Sequence, residues 1–234
     1  MARKELSAEV REEIEKLIGT EFRKGEKIPS EKELCERFNV SRVTLREAIR
    51  ELVSSHVLVI RRGVGTFVTM HPGVVDDPIG GKFMDKQKLI SEIWETSLLL
   101  EPQFAYWAAE RADSSEIAVI EEIQKEYESC FEEWQKTHSA ELTRELFRLD
   151  GEFHLKIAKS TKNTVLYHIF RSYCGMINKE IDPETARGNA DNIMKYHPML
   201  INDLKNHDCQ SAYEHMYRHD RELEERHLSE KNGK

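Results

Sequence analysis

The stretch NVSRVTLREAIREL, Asn39–Leu52, packs Arg42, Arg46 and Arg50 into about two helical turns of a chain whose formal net charge is -8. Val43, Leu45, Ile49 and Leu52 are its apolar positions at helical spacing, and Ser41 stands where an N-cap belongs. The segment before it, IPSEKELCERF (Ile28–Phe38), carries Ser30 followed three residues later by Glu33. That pair is a capping box, with Pro29 just outside the helix and Leu34 and Phe38 supplying its buried face. This helix stops at Asn39, so only a three-residue turn separates it from the next. Such spacing predicts a helix-turn-helix.

Working outward, Val10, Ile14, Leu17 and Ile18 recur at helical spacing and predict one amphipathic helix that ends before Lys24-Gly25. On the other side, VLVI and TFVT are β-branched runs joined by Arg61-Arg62-Gly63-Val64-Gly65, a hairpin whose glycines supply positive φ. Helices plus a hairpin predict a winged helix-turn-helix over residues 1–70.

The charge distribution agrees with a nucleic-acid partner for this part alone. Residues 1–70 hold 14 Lys and Arg against 12 Asp and Glu, net +2, and the remainder holds 21 against 31, net -10. An acidic surface repels nucleic acid; the first block need not. A recognition helix presents its first turns to base edges in the major groove, which is where Arg42, Thr44 and Arg46 fall. Arginine's planar fork matches the O6 and N7 acceptors of guanine, and threonine reaches phosphate or a thymine methyl. Lys32 and Arg62 are placed for backbone or minor groove. The competing reading, a solvated face paired with Glu47 and Glu51, gives way once the arginines sit on this supersecondary pattern.

PSEKELCERFNVSRVTLREAIREL together with RRGVGTFV resembles the N-terminal domain of GntR-type bacterial transcription regulators, over about residues 10–69. By that resemblance Lys32, Ser41, Arg42, Thr44, Arg46 and the wing's Arg62 and Gly63 carry the contacts to double-stranded DNA. Cys35 stands where a small residue is common, and a buried thiol fits there too. One short recognition helix reads too few base pairs for genomic specificity, so a homodimer on an inverted-repeat operator is expected.

The stretch HPGVVDDPIGGK, His71–Lys82, lacks periodicity and holds two prolines and three glycines, so residues 71–86 are expected to be a linker. Residues 87–230 contain no strand run and have helical periodicity throughout. They predict an all-α bundle of about six helices, broken at Ala112-Asp113-Ser114, Lys136–Ser139, Ser160–Asn163, Asp182-Pro183 and His207-Asp208, with a kink suggested by Pro102. Mainly α is therefore the fold class. No run of about 18 apolar residues and no signal peptide is present, so no membrane partner and a cytoplasmic location are expected. Cys35, Cys130, Cys174 and Cys209 are scattered through helical segments and are expected as packed thiols.

Within the bundle, LDGEFHLKIA puts Asp150 and His154 four residues apart on one helix face. Alone, such a pair is more commonly a structural hydrogen bond than a metal site. YHPMLINDLKNHDCQSAYEHMYRHDREL adds a helical hairpin turning near His207-Asp208, from which His197 and His219 are almost equidistant. Each lies mid-stripe, His197 with Leu200, Ile201 and Leu204, and His219 with Ala212, Met216 and Leu223, so both point inward. His215 lies at the edge of the stripe, His207 in the turn and His227 near a charged end. Three imidazoles and a carboxylate suit a divalent metal, Zn²⁺ or Ni²⁺, with open positions for water or a ligand's oxygens.

This arrangement resembles the effector (FCD) domain of the FadR-like branch of the same regulators, and LLLEPQFAYWAAERA, Leu98–Ala112, resembles its first long helix. The resemblance implies that Asp150, His154, His197 and His219 hold a metal that helps bind a small organic acid effector, in a ligand-responsive regulator acting as a repressor. It also marks Ser97 as an effector-facing position where many relatives have arginine. The alternative, a metal-dependent hydrolase with a DNA-binding module, lacks an HExxH base, and Glu152 points to another helix face than Asp150. An enzyme is not expected.

Overall fold

In a computed structural model of the chain, which describes residues 2–74, 79–180 and 183–232 and side chains at 5–74, 79–81, 83–174 and 189–226, Ser30 forms the capping box its sequence predicts. Its Oγ accepts from the Glu33 N–H at 3.4 Å, and the Glu33 carboxylate accepts from the Ser30 N–H at 2.7 Å. The helix so begun, α2, runs over Glu31–Phe38, between α1 at Ala2–Leu17 and α3 at Arg42–Ser54. Asn39 closes α2 in the left-handed conformation, φ 52° and ψ 48°, which asparagine tolerates better than most residues. Ser41 then caps α3 by accepting from the Thr44 N–H at 3.2 Å.

Leu45, Ala48, Ile49 and Leu52 bury one face of α3 against Val10 and Ile14 of α1 and Leu34 of α2. Val43, read as an apolar position, lies outside that stripe and is 55% exposed. The first helix is shorter than its periodicity predicts. It ends at Leu17, and a tight turn through Gly19 at φ +91° returns Phe22 to the same core. The hairpin pairs β1, Leu58–Arg61, with β2, Gly65–Val68, in the register Leu58 to Val68 and Arg61 to Gly65. An addition the sequence did not signal is the segment Gly25–Ile28, which runs along β2. Ile28 N donates to Thr66 O and Val68 N to Glu26 O, both at 2.9 Å. Gly65 lies at this approach with φ +140°, a conformation that L side chains rarely adopt.

The chain divides into two compact units, Met1–Asp76 and Asp77–Lys234. The second unit is helical: a 3-10 turn at Gly81–Phe83, then α4 at Lys86–Arg111, α5 at Ser114–Thr137, α6 at Ala140–Ser160, α7 at Thr164–Glu180, α8 at Pro183–Asn206 and α9 at Cys209–Asn232. The breaks near 112, 138, 161 and 207 fall where the sequence places them. The one at Asp182-Pro183 touches residues outside those described, as does part of the 71–86 stretch. Helix α4 continues through Pro102. It lies against α9, α8 pairs with α9, and α5 with α6, while α6 also touches α4, α7 and α8. Along α4 the buried row Leu89, Ile93, Ser97, Glu101, Ala105 advances by fours, so a hydroxyl and a carboxylate interrupt an otherwise apolar stripe. Among the described residues no helix is long and apolar enough to cross a membrane. The four cysteines are free, with Cys174 buried.

Ser30→Ala removes the side-chain half of the capping box and is expected to destabilise the first unit by about 1 kcal/mol, whereas Ser30→Asp keeps an acceptor and restores most of the loss. Urea unfolding of the three proteins reads this. An unchanged midpoint in the alanine variant would show that the cap contributes nothing.

Candidate metal centre and nucleic-acid interface

Helix α6 presents Asp150 and His154, α8 presents His197 and α9 presents His219. One ligand atom from each lies within 4.8 Å of all the others. His154 Nε2 is 3.3 Å from His219 Nε2 and 3.7 Å from Asp150 Oδ1, which in turn is 3.6 Å from His197 Nε2. Metal–nitrogen and metal–oxygen bonds of about 2.0–2.2 Å make polyhedron edges of roughly 3.0–3.5 Å, so the group has the dimensions of a ligand set. His154, His197 and His219 are 8%, 0% and 1% exposed. Asp150 Oδ1 and His197 Nε2 are buried without a hydrogen-bond partner. Burial, reinforced by neighbouring imidazoles, holds His197 and His219 well below the ordinary histidine value, in the neutral form that ligates. Burial also pushes Asp150 up to about 6, against the pull of His154. At His154 burial opposes the charged form, but the carboxyl groups of Glu101, Asp150 and Asp220 together outweigh it and raise the imidazole to about 10.

Side chains behind the cluster orient it. Gln124 Oε1 accepts from His197 Nδ1 at 3.0 Å, while its Nε2 donates to Glu128 at 3.0 Å, which fixes the amide. The His197 ring also stacks on Phe153, centroids 3.7 Å apart and planes 4° from parallel, leaving Nε2 directed at Asp150. Glu101 Oε2 lies 2.5 Å from His154 Nδ1. A carboxylate or amide behind a ligating imidazole selects its tautomer. Sequence reading missed Gln124 and Glu101, although each was detectable as a polar residue on a buried stripe: Gln124 among Ile117, Ile120, Ile123 and Tyr127, and Glu101 in the α4 row. His215 is outside the cluster, its Nδ1 2.6 Å from Asp203. His207 donates to Ala109 O at 2.7 Å, Glu152 pairs outward with Arg148 at 2.5 Å, and the His227 side chain lies outside those described. Beside the cluster is a cavity of about 40 Å³ whose walls include Trp94, Ser97, Glu101, Asn189 and Asp220, together with Asp150, His154 and His219. Asp220 is raised well above the usual carboxylate range by burial and then by Glu101.

In the first unit, Arg42, Arg46 and Arg50 form an i, i+4, i+8 row on the exposed side of α3 and line a shallow depression of about 310 Å³ with Val43 and Glu47. Arg50 belongs to this face by spacing alone, and sequence reading left it out. Arg46 is held by Glu31, with Nη2 2.9 Å from the carboxylate. Thr44 is 4% exposed, and its hydroxyl is 2.9 Å from Ser41 Oγ. Lys32 is open, Nζ 3.9 Å from Glu36. Arg62 and Gly63 sit exposed in the hairpin loop, with Gly63 at φ +74°, beside Arg61 stacked 4.5 Å above Phe67.

Residues 6–68 match the gntR family of bacterial regulatory proteins, and residues 92–222 match the FCD domain. The chain belongs to the gntR family. It is a transcriptional regulator with a DNA-binding helix-turn-helix domain and an FCD domain. The galactonate operon transcriptional repressor of Escherichia coli K12 is 26% identical over 196 residues, 80% of this chain and 81% of that protein. The HTH-type transcriptional regulator LutR of Bacillus subtilis is 25% identical over 158 residues, 67% of this chain and 68% of its own length. A solved Streptococcus agalactiae GntR structure superposes with a TM-score of 0.74 at 25% identity, covering 95% of this chain and 99% of that one.

Gln124→Leu removes the acceptor that orients His197 without touching the four donors. Divalent-metal affinity is expected to fall by about 10–100-fold, measured by competition with a chromogenic chelator. Unchanged affinity would remove Gln124 from the orienting role.

Proposed function

We propose that this gntR-family regulator is a homodimeric repressor that reads an inverted-repeat operator and is controlled by a small organic acid bound at a metal in its FCD domain. In this reading residues 1–70 hold the operator, 71–86 link, and 87–230 bind metal and effector and pair the protomers. Convergence of four donor atoms from three helices carries the effector half of the proposal. The donor set, imidazole nitrogen and carboxylate oxygen, suits zinc or nickel, whose binding would displace the extra proton of His154. The ion, when bound, supplies a Lewis-acidic seat for a carboxylate oxygen. Asp150, His154, His197 and His219 hold it, Gln124 and Glu101 fix two of the imidazoles, and Ser97 shapes the adjoining cavity. Support for an acid-responsive repressor comes from the name of one relative, a galactonate operon transcriptional repressor.

On the DNA side, Arg42 and Arg46 contact base edges, Lys32 and Arg62 contact phosphate or minor groove, and Gly63 lets the wing approach the backbone. Ser41 and Thr44 support the helix start by their mutual hydroxyl contact, with Ser41 the more exposed of the two. Arg42→Ala and Arg46→Ala are each expected to cost about 1–3 kcal/mol of operator binding and to relax base preference. Lys32→Ala should weaken all sequences alike and reduce the salt dependence by about one charge. Unchanged affinity and preference in both arginine variants would take α3 out of the reading role.

The metal half is tested by elemental analysis. His197→Ala and His219→Ala should lose bound metal and effector affinity together while the full-length protein remains dimeric by sedimentation, and His215→Ala should keep both. Full metal content in the first two variants, or loss confined to the third, would show that the ion is held elsewhere.

A further inference from the structure

We infer that the cavity beside the histidine cluster seats an ammonium group, so that the acid bound there is a small amino acid rather than a plain or hydroxylated acid. This rests on the metal-bound acid proposed above and specifies its chemical class. Among the described lining residues, Glu101, Asp150 and Asp220 bring carboxylates and none is a lysine or an arginine. Asp220 is 2% exposed, and its Oδ2 is buried with no hydrogen-bond partner. Its other oxygen lies 3.9 Å from His219 Nε2, too far for a hydrogen bond. Ser97 is 1% exposed, and its buried Oγ, beside the Tyr173 hydroxyl, completes no well-formed hydrogen bond. Glu101 has committed only Oε2, to His154.

A buried carboxyl oxygen without a partner is costly, and a charged donor satisfies it most strongly because it also favours the ionised form. An ammonium brings three donors and a full charge; a hydroxyl brings one donor and none. A second carboxylate or a phosphate in the same space would face Glu101 with like charge and would bring no donor to Asp220. One water needs about 10–15 Å³ of such space, and the cavity offers about 40 Å³, room for an ammonium and one or two carbons. Trp94 adds an aromatic wall, which favours a cation over an anion.

The test uses zinc-loaded full-length protein and three acids with one carbon skeleton: L-alanine, L-lactate and propionate carry an ammonium, a hydroxyl or a hydrogen at C2. Isothermal titration should show alanine binding at least about tenfold tighter than lactate, with propionate weakest. Asp220→Asn, with zinc content confirmed, should bring the alanine-to-lactate ratio near one. Ser97→Arg, which adds a guanidinium to the cavity, should invert it, and it keeps the assignment testable should Asp220→Asn not fold. Lactate or propionate binding as well as alanine to the wild type overturns the ammonium site while leaving a metal-bound acid in place. Binding of none of the three to stoichiometrically zinc-loaded protein also overturns it. Protein that takes up no zinc overturns this inference together with the reading beneath it, and elemental analysis shows that before any acid is added.

Discussion

Three imidazoles and a carboxylate enclosed by a helical core must be compensated, and the second unit is arranged around that requirement. Each buried polar atom left without a partner costs about 1–3 kcal/mol. Asp150 Oδ1 and His197 Nε2 are in that position, with His219 Nδ1 and Asp220 Oδ2 nearby. A single cation among the converging Nε2 atoms and Asp150 would relieve the first two at once. The apolar frame holds the arrangement in place: Phe153 fixes one ring by stacking, and Leu149, Ile157, Leu200 and Leu204, all 2% exposed or less, flank the donors along α6 and α8. Because α6, α8 and α9 each supply a donor, the ion's position and the packing of those helices are one geometric problem.

The first unit resolves the opposite situation, in which charge must stay available. Arg46 is paired with Glu31 on the surface, where both side chains keep substantial exposure. An exposed ion pair contributes about 0–1 kcal/mol, less than the 1–3 kcal/mol typical of an arginine on a guanine edge. Glu31 can therefore order the guanidinium in the free protein without opposing the base contact proposed for Arg46. Glu31 also belongs to the first turn of α2, where a carboxylate is favoured by the helix dipole, so it has a reason to be there independent of Arg46.

How much of this was legible from sequence depended on whether the signal was periodic. Ser30 and Glu33, the Asn39 stop, the Ser41 cap and the breaks at 112, 138, 161 and 207 are local patterns with local causes, and they were readable. His197 and His219 were readable because a helical hairpin converts distance from its turn into spatial level. Gly25–Ile28 was not, since its pairing with β2 is a long-range contact made by residues with no β-branched run. Phe22, similarly, reaches the core only because the chain leaves the helix at Leu17, which apolar spacing through Ile18 concealed. Glu101, Gln124 and Asp220 are single polar residues on buried stripes. Sequence shows that they are anomalous there, but which histidine each one meets is set by packing between helices far apart in the chain.

The placement of these anomalies bears on how an effector signal could travel. Ser97 and Glu101 are on α4, Asp220 is on α9, and α4 and α9 lie against one another along the bundle. An acid seated as proposed, between the cluster and these side chains, would make its contacts across that helix pair. It can bias the pair only by the difference between its affinities for the two arrangements. Contacts with buried, charge-bearing groups give large differences for small displacements, because a carboxylate separated from its partner by an ångström loses most of a short hydrogen bond. Helix α4 is also the first long element after residues 71–82, so a shift of α4 against α9 acts at the point where the chain enters from the DNA-reading unit. The dense interior of the bundle favours two discrete packings over a continuous deformation, which makes the α4–α9 contact the element whose equilibrium the effector would have to set.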